Sequence, residues 1–123
     1  MTGATFHGMR AWRLDGGIID CEDTALGYVD LHNECDFLEL RVVAGENVSV
    51  RLLFRHLPTG RAFELSFAAV SGLEVEQLDN VPEDAHLFHD LSHVPEDTLS
   101  AIEVELAAAR LVFRCARVEF VEG

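Results

Sequence analysis

The stretch from Phe37 to Phe67 constrains the fold more than any other part of the chain. Leu38, Leu40 and Val42 alternate with Glu39 and Arg41. Val48, Val50, Leu52 and Phe54 alternate with Ser49, Arg51, Leu53 and Arg55, and Phe63, Leu65 and Phe67 alternate with Glu64 and Ser66. A period of two in aromatic and β-branched residues marks strands with one face in a core. The intervening turns, Ala44-Gly45-Glu46-Asn47 and Pro58-Thr59-Gly60, are too short for a parallel crossover, so a three-stranded antiparallel meander is expected.

The same reading extends to both ends. Arg10 to Leu14 reads as a first strand with Trp12 and Leu14 inward, Asp15-Gly16-Gly17 as a hairpin turn, Ile18 to Cys21 as a second strand and Ala25 to His32 as a third. Residues 73–78 read as a short edge strand, and Ser100 to Leu106 and Arg110 to Val121 as the last strands. In the final strand the apolar phase changes between Cys115 and Val118, the parity flip that a β-bulge produces. Residues 80–97 break the rhythm. Pro82, Glu83 and Asp84 suit a helix start, and Ala85, Leu87, Phe88 and Leu91 fall on one arc at a 3.6-residue period. A short amphipathic helix near 82–92 is expected, ending before Pro95. Eight or nine short strands are too many for a flat open sheet. The chain is therefore expected to be one mainly-β domain over residues 1–123, an antiparallel β-sandwich or a partly open barrel with one short helix.

At 123 residues the chain can bury a core without metal or disulfide staples. No apolar run is long enough for a transmembrane helix, and Met1 to Arg13 lacks the apolar segment of a secretory signal, so a cytoplasmic location is expected. Cys21, Cys35 and Cys115, without CxxC spacing, fit free thiols in a reducing compartment, and Cys115 fits a core position. The nine basic residues are all arginine, a composition associated with GC-rich bacterial genomes.

The net charge is −13, and it is unevenly spread. Between Ser71 and Glu105 lie ten acids and no arginine: Glu74, Glu76, Asp79, Glu83, Asp84, Asp90, Glu96, Asp97, Glu103 and Glu105. Such a field repels nucleic acid and anionic membranes and attracts basic partners. Glu74, Glu76, Asp79, Glu83, Asp84, Asp90, Glu96 and Asp97 are the candidate partner-binding residues. The ordinary role of such acids, a solvated surface that keeps the chain dispersed, stands beside this one. The expected function is a small acidic protein-binding module, of the immunity or antitoxin type that covers a basic partner surface.

The alternative is a small-ligand- or metal-binding β-barrel, with or without enzymatic activity. On the expected helix His86, His89 and His93 share one face with Asp90, at i, i+3 and i+7. His86 and His93 would lie about 10 Å apart along the axis, so one zinc ion could take His89 with His93, or His86 with Asp90, but not all three histidines. A solvated polar helix face is the simpler account, and no cofactor is expected, zinc being the one candidate. Together the three histidines would also form a patch that gains charge near pH 6. Cys21 or Cys35 can be paired on paper with any histidine, but spacing alone shows no nucleophile–base contact. No GxSxG, P-loop or Rossmann glycine pattern occurs, and no catalytic residue is assigned. Arg41, Arg51, Arg55 and Arg61 are expected on the outer face of the meander, pairing across strands with Glu39 and Glu64.

Overall fold

A computed structural model of the chain describes residues 3–78 and 87–122. Eleven strands form in these residues and no helix. They are β1 (Thr5–His7), β2 (Asp15–Ile18), β3 (Asp20–Thr24), β4 (Gly27–Asp30), β5 (Cys35–Ala44), β6 (Val48–His56), β7 (Arg61–Gln77), β8 (Phe88–Glu96), β9 (Leu99–Leu106), β10 (Ala109–Cys115) and β11 (Arg117–Glu122). Nine of them make one curled, half-barrel sheet, and β3 with β4 makes a small second sheet.

The meander forms as its alternation requires. β5, β6 and β7 pair antiparallel, and Val50, Leu52, Phe54, Phe63, Leu65 and Phe67 are all fully or almost fully buried. β5 is the exception within it. It lies at the sheet edge, and its apolar residues Leu38, Val42 and Val43 are exposed.

The curl comes from two long strand runs that change parity together. β7 turns its odd residues Phe63, Leu65 and Phe67 into the core, then Val70. On the partner run β10 buries Leu111, Phe113 and Cys115, and β11 buries Val118 and Phe120. The two flips face each other. Arg114 lies opposite Ser71 and Arg117 opposite Ala68, so Ala116 and Ala69 sit at the same level of the ladder. Ala69 takes a left-handed conformation (φ 53°), and the Ala116 N–H reaches Ala68 O at 3.1 Å. Strands that bend this way carry a sheet around a corner. Beyond the corner β7 pairs with β10 instead of β11, followed in order by β9, β8 and β2.

The two halves of the curl meet through aromatic contacts. Phe54 meets Phe88 edge to face at 5.4 Å, and Phe67 meets Phe113 at 5.2 Å. Phe54 stacks on Phe63 and Phe63 on Phe120 along the first half. The buried residues of the β3–β4 hairpin, Cys21 and Val29, belong to the same core, with Leu31 just beyond it. Burial raises the Cys21 thiol far above its usual pKa, outweighing a hydrogen bond from Trp12, and pushes the Cys115 thiol up to about 12.

The helix expected near 82–92 is overturned from residue 88 onward, where the chain is strand β8; residues 82–86 fall outside the described part. A bulge between Phe88 and Asp90 puts Phe88, Leu91 and His93 on the inner face, at spacings of three and then two. The first interval imitates a helical i, i+3 pair. The N-terminal expectations also change. Arg10 to Leu14 forms no strand: Trp12 is buried with its indole N–H on Asp20 O, but Leu14 is 69% exposed. Asp15-Gly16-Gly17 is no turn but part of β2, paired with β8, while Thr5–His7 runs parallel to β11. Gly8 is required there, because a Cβ would come within 2.6 Å of the Phe120 carbonyl oxygen. Residues 73–78 form an edge as expected, but as the far end of β7.

The parity flip can be tested directly. Ala69→Gly relieves a left-handed alanine and should raise the unfolding free energy by about 0.5–1 kcal/mol. Phe67→Ala, two residues away in the core, should cost about 3–5 kcal/mol. Urea denaturation monitored by circular dichroism measures both.

Candidate functional site

Alternation sends the acids of β7, β8 and β9 to the outer face of the second half of the curl. The registers place them in rows. Glu76, Arg110, Glu105 and Asp90 lie side by side on β7, β10, β9 and β8, and Glu74, Val112, Glu103 and Ser92 make the next row. Glu96 lies further along β8, and Asp97 sits in the β8–β9 turn in a left-handed conformation (φ 60°), its carbonyl accepting the Gly3 N–H at 2.8 Å.

Of the eight acids singled out by sequence, the structure brings Glu74, Glu76, Asp90 and Glu96 onto one face and puts Asp97 at its end. Asp79, Glu83 and Asp84 lie outside the described residues. Glu103 and Glu105, part of the acidic segment but not among those eight, prove central. The segment that lacks arginine in sequence does not lack it in space. β10 inserts between β7 and β9 and brings Arg110 and Arg114 with it. Arg110 bonds Glu103 and lies 3.9 Å from Glu76, and Arg114 reaches Glu96 at 2.7 Å. The bonded Glu103 raises the Arg110 pKa above its usual value. Among the described residues no cation comes within ion-pair distance of Glu74, Asp90 or Glu105. Asp90 stands directly opposite Glu105, a like-charge cross-strand pair that works against folding.

The histidines are distributed differently from the helix reading. His89 and His93, on a strand, are separated by about 13 Å of chain. His89 is exposed, whereas His93 is 2% exposed and points into the core; His86 lies outside the described residues. His93 donates from Nδ1 to the Arg13 carbonyl at 3.3 Å and accepts at Nε2 from the Ser100 hydroxyl at 2.8 Å. The Ser100 oxygen in turn accepts the Ala4 N–H at 2.8 Å. Phe6 and Trp12 pack edge-on against the ring. This buried serine–histidine pair therefore ties the N-terminal segment to β8 and β9. Among the described residues no group of three or more His, Cys, Asp or Glu side chains is placed to hold a metal ion.

A cleft of about 390 Å³ lies between the 31–38 segment and Leu87–Phe88, lined among others by His32, Cys35, Phe37 and Leu87. His32 Nδ1–H is shared between the carbonyls of Phe88 and His89, each at 3.0 Å. Burial pushes the Cys35 thiol up to about 12, with Glu34, Asp30 and Asp36 adding to the shift, so it is not a thiolate nucleophile at neutral pH. Asp30 is occupied by its own turn. Burial raises its pKa, but bonds from the Asn33 side chain, the Asn33 N–H and the His32 N–H outweigh this and hold it below its usual value.

On the meander Arg41 bonds Glu39 along its own strand at 3.0 Å, and Arg61 pairs with Glu122 of β11. Arg51 and Arg55 make no ion pair among the described residues, and the Arg51 Nε is buried without a hydrogen-bond partner. The cross-strand pairs expected for these arginines with Glu39 and Glu64 do not form.

His93 gives a pH test. Burial, opposed by the backbone bonds, holds its pKa below 6.5, so the unfolded chain takes up the proton first. Its contribution to stability is complete above pH 6.5 and is lost as pH falls toward the folded-state value. Melting temperature should drop between about pH 7 and pH 5, and His93→Gln should flatten this limb. Ser100→Ala, which strands both Ala4 N–H and His93 Nε2, should cost about 1–3 kcal/mol.

Comparison with protein-family models, with curated proteins and with solved structures finds no match to this chain.

Proposed function

We propose that this protein is a small protein-binding module whose acidic outer face covers a basic surface on a partner. One observation carries the reading. Glu74, Glu76, Asp90, Glu96, Glu103 and Glu105 are gathered on neighbouring strands of one sheet face, where, among the described residues, Arg110 and Arg114 are the cations paired with them. The face includes Asp90 directly opposite Glu105, a like-charge contact that a basic partner would relieve. Acids fixed on a rigid sheet also steer encounters with a cationic partner, at rates that fall with salt.

The finer form of the reading is an immunity- or antitoxin-type protein, which masks the electropositive site of a nucleic-acid-cleaving toxin. Its partner would be a basic protein rather than nucleic acid or membrane, and the setting a bacterial cytoplasm. Buried Cys21 and Cys115 and half-buried Cys35, all unpaired, support a reducing compartment. No helix among the described residues is long and apolar enough to cross a membrane.

Affinity capture from a host lysate at low and at high salt tests the proposal. A basic protein retained at low salt and released at high salt is the expected result. Capture unaffected by Glu74→Arg with Glu105→Arg would refute it. The like-charge pair adds a stability arm. Asp90→Asn, which removes one member of the pair and leaves Glu105 beside Arg110, should raise the unfolding free energy by about 0.2–1 kcal/mol while weakening partner binding, because the acid opposes folding and favours association. Chemical denaturation and calorimetric titration with the captured partner read the two effects.

A further inference from the structure

Among the described residues the sheet has several open edges, and they are unequally protected. β1 and β2 are short, at three and four residues. The far end of β7 carries Glu74 and Glu76. β5 is ten residues long, pairs with β6 alone, and contains neither proline nor lysine. Leu38, Val42 and Val43 on it are 50%, 48% and 41% exposed. A long edge with exposed apolar residues and unpaired backbone donors and acceptors is a template for another strand.

We propose that the strand it accepts is β5 of a second copy of this chain, paired antiparallel about a two-fold axis at Leu40 so that the sheet runs through both copies. The register follows from symmetry and charge. A two-fold axis perpendicular to the sheet keeps each side chain on its face, and opposed residues of an antiparallel pair share a face, so the axis must pass through a residue. Centring on Arg41 would oppose two guanidinium groups. Centring on Val42 would set Arg41 against Val43 and Leu40 against Ala44. Centring on Leu40 sets Glu39 against Arg41 of the second copy, and Arg41 against its Glu39, on the outer face.

Glu39 and Arg41 already bond each other along the strand at 3.0 Å, and both are exposed. The paired copies would turn this contact into a four-charge cluster. The bulge between Phe37 and Glu39 limits the regular ladder at each end, which fits a reversible dimer rather than an open fibre. β5 lies on the opposite half of the curl from the acidic face, so the inference stands whether or not that face binds a basic partner.

Sedimentation velocity on the full chain over a concentration series decides the matter. The wild type should show a reversible monomer–dimer equilibrium. Glu39→Arg and Arg41→Glu should each weaken it about tenfold or more, because attraction becomes repulsion at two symmetric sites, and the combined variant should recover wild-type association. Hydrogen exchange read in parallel should slow in Cys35–Ala44 as concentration rises. A wild type that stays monomeric throughout overturns the proposal. So does a dimer insensitive to both single reversals, a combined variant that stays weak while its circular dichroism is native, or slowed exchange confined to other strands.

Discussion

The matched parity flip at Ala69 and Ala116 is the constraint on which the rest of the molecule depends. A strand pair can turn a corner and stay hydrogen-bonded only if both members change face at the same level. Here Phe67 gives way to Val70 on one strand run, and Val118 to Cys115 on the other. If only one run changed, either Val70 or Cys115 would face solvent and its opposite number would face the core alone. The left-handed Ala69 carries a local strain that the ladder on both sides offsets. Once the corner is turned, Phe54 and Phe67 are carried against Phe88 and Phe113, and the core closes.

The same corner arranges the surface. It separates a meander half, whose outer face carries Arg41, Arg51 and Arg55, from a half whose outer face carries most of the acids of the 71–105 segment. Within the acidic half the pattern is not uniformly negative. β10 runs between β7 and β9 and sets Arg110 and Arg114 among the carboxylates, which lowers the cost of folding such a face. Among the described residues Glu74 and Asp90 form no ion pair with either arginine, and Asp90 faces Glu105, which stands beside Arg110 on its other side. Exposed ion pairs of this kind contribute little to stability. The face is therefore better understood through what it repels and attracts than through what it adds to the fold.

Buried polar groups divide in the same way. His93 and Ser100 resemble a catalytic pair in composition, yet each is almost wholly enclosed, and their bonds go to Arg13 O and the Ala4 N–H. Their consequence is attachment of the N-terminal segment, with a pH dependence set by burial of the imidazole. Cys35 lines the cleft beside His32, and burial together with Glu34, Asp30 and Asp36 raises its thiol pKa and so favours the protonated form.

The sequence by itself determined the meander, the mainly-β class, the parity flip near Ala116 and the outward direction of the strand acids, because each is a local consequence of side chains alternating every two residues. It misjudged 88–92, because one bulge places Phe88 and Leu91 on the same face three residues apart, as a helix turn also would. It misjudged Arg10 to Gly17, where Trp12 is held by the Asp20 carbonyl rather than by a ladder, and two glycines serve a strand instead of a turn. Strand order was left to tertiary structure, since backbone hydrogen bonds carry no label for their partner. That order, by pairing β10 with β7, set Arg110 beside Glu76, an acid distant from it in the chain, and it left β5 as the long uncovered edge.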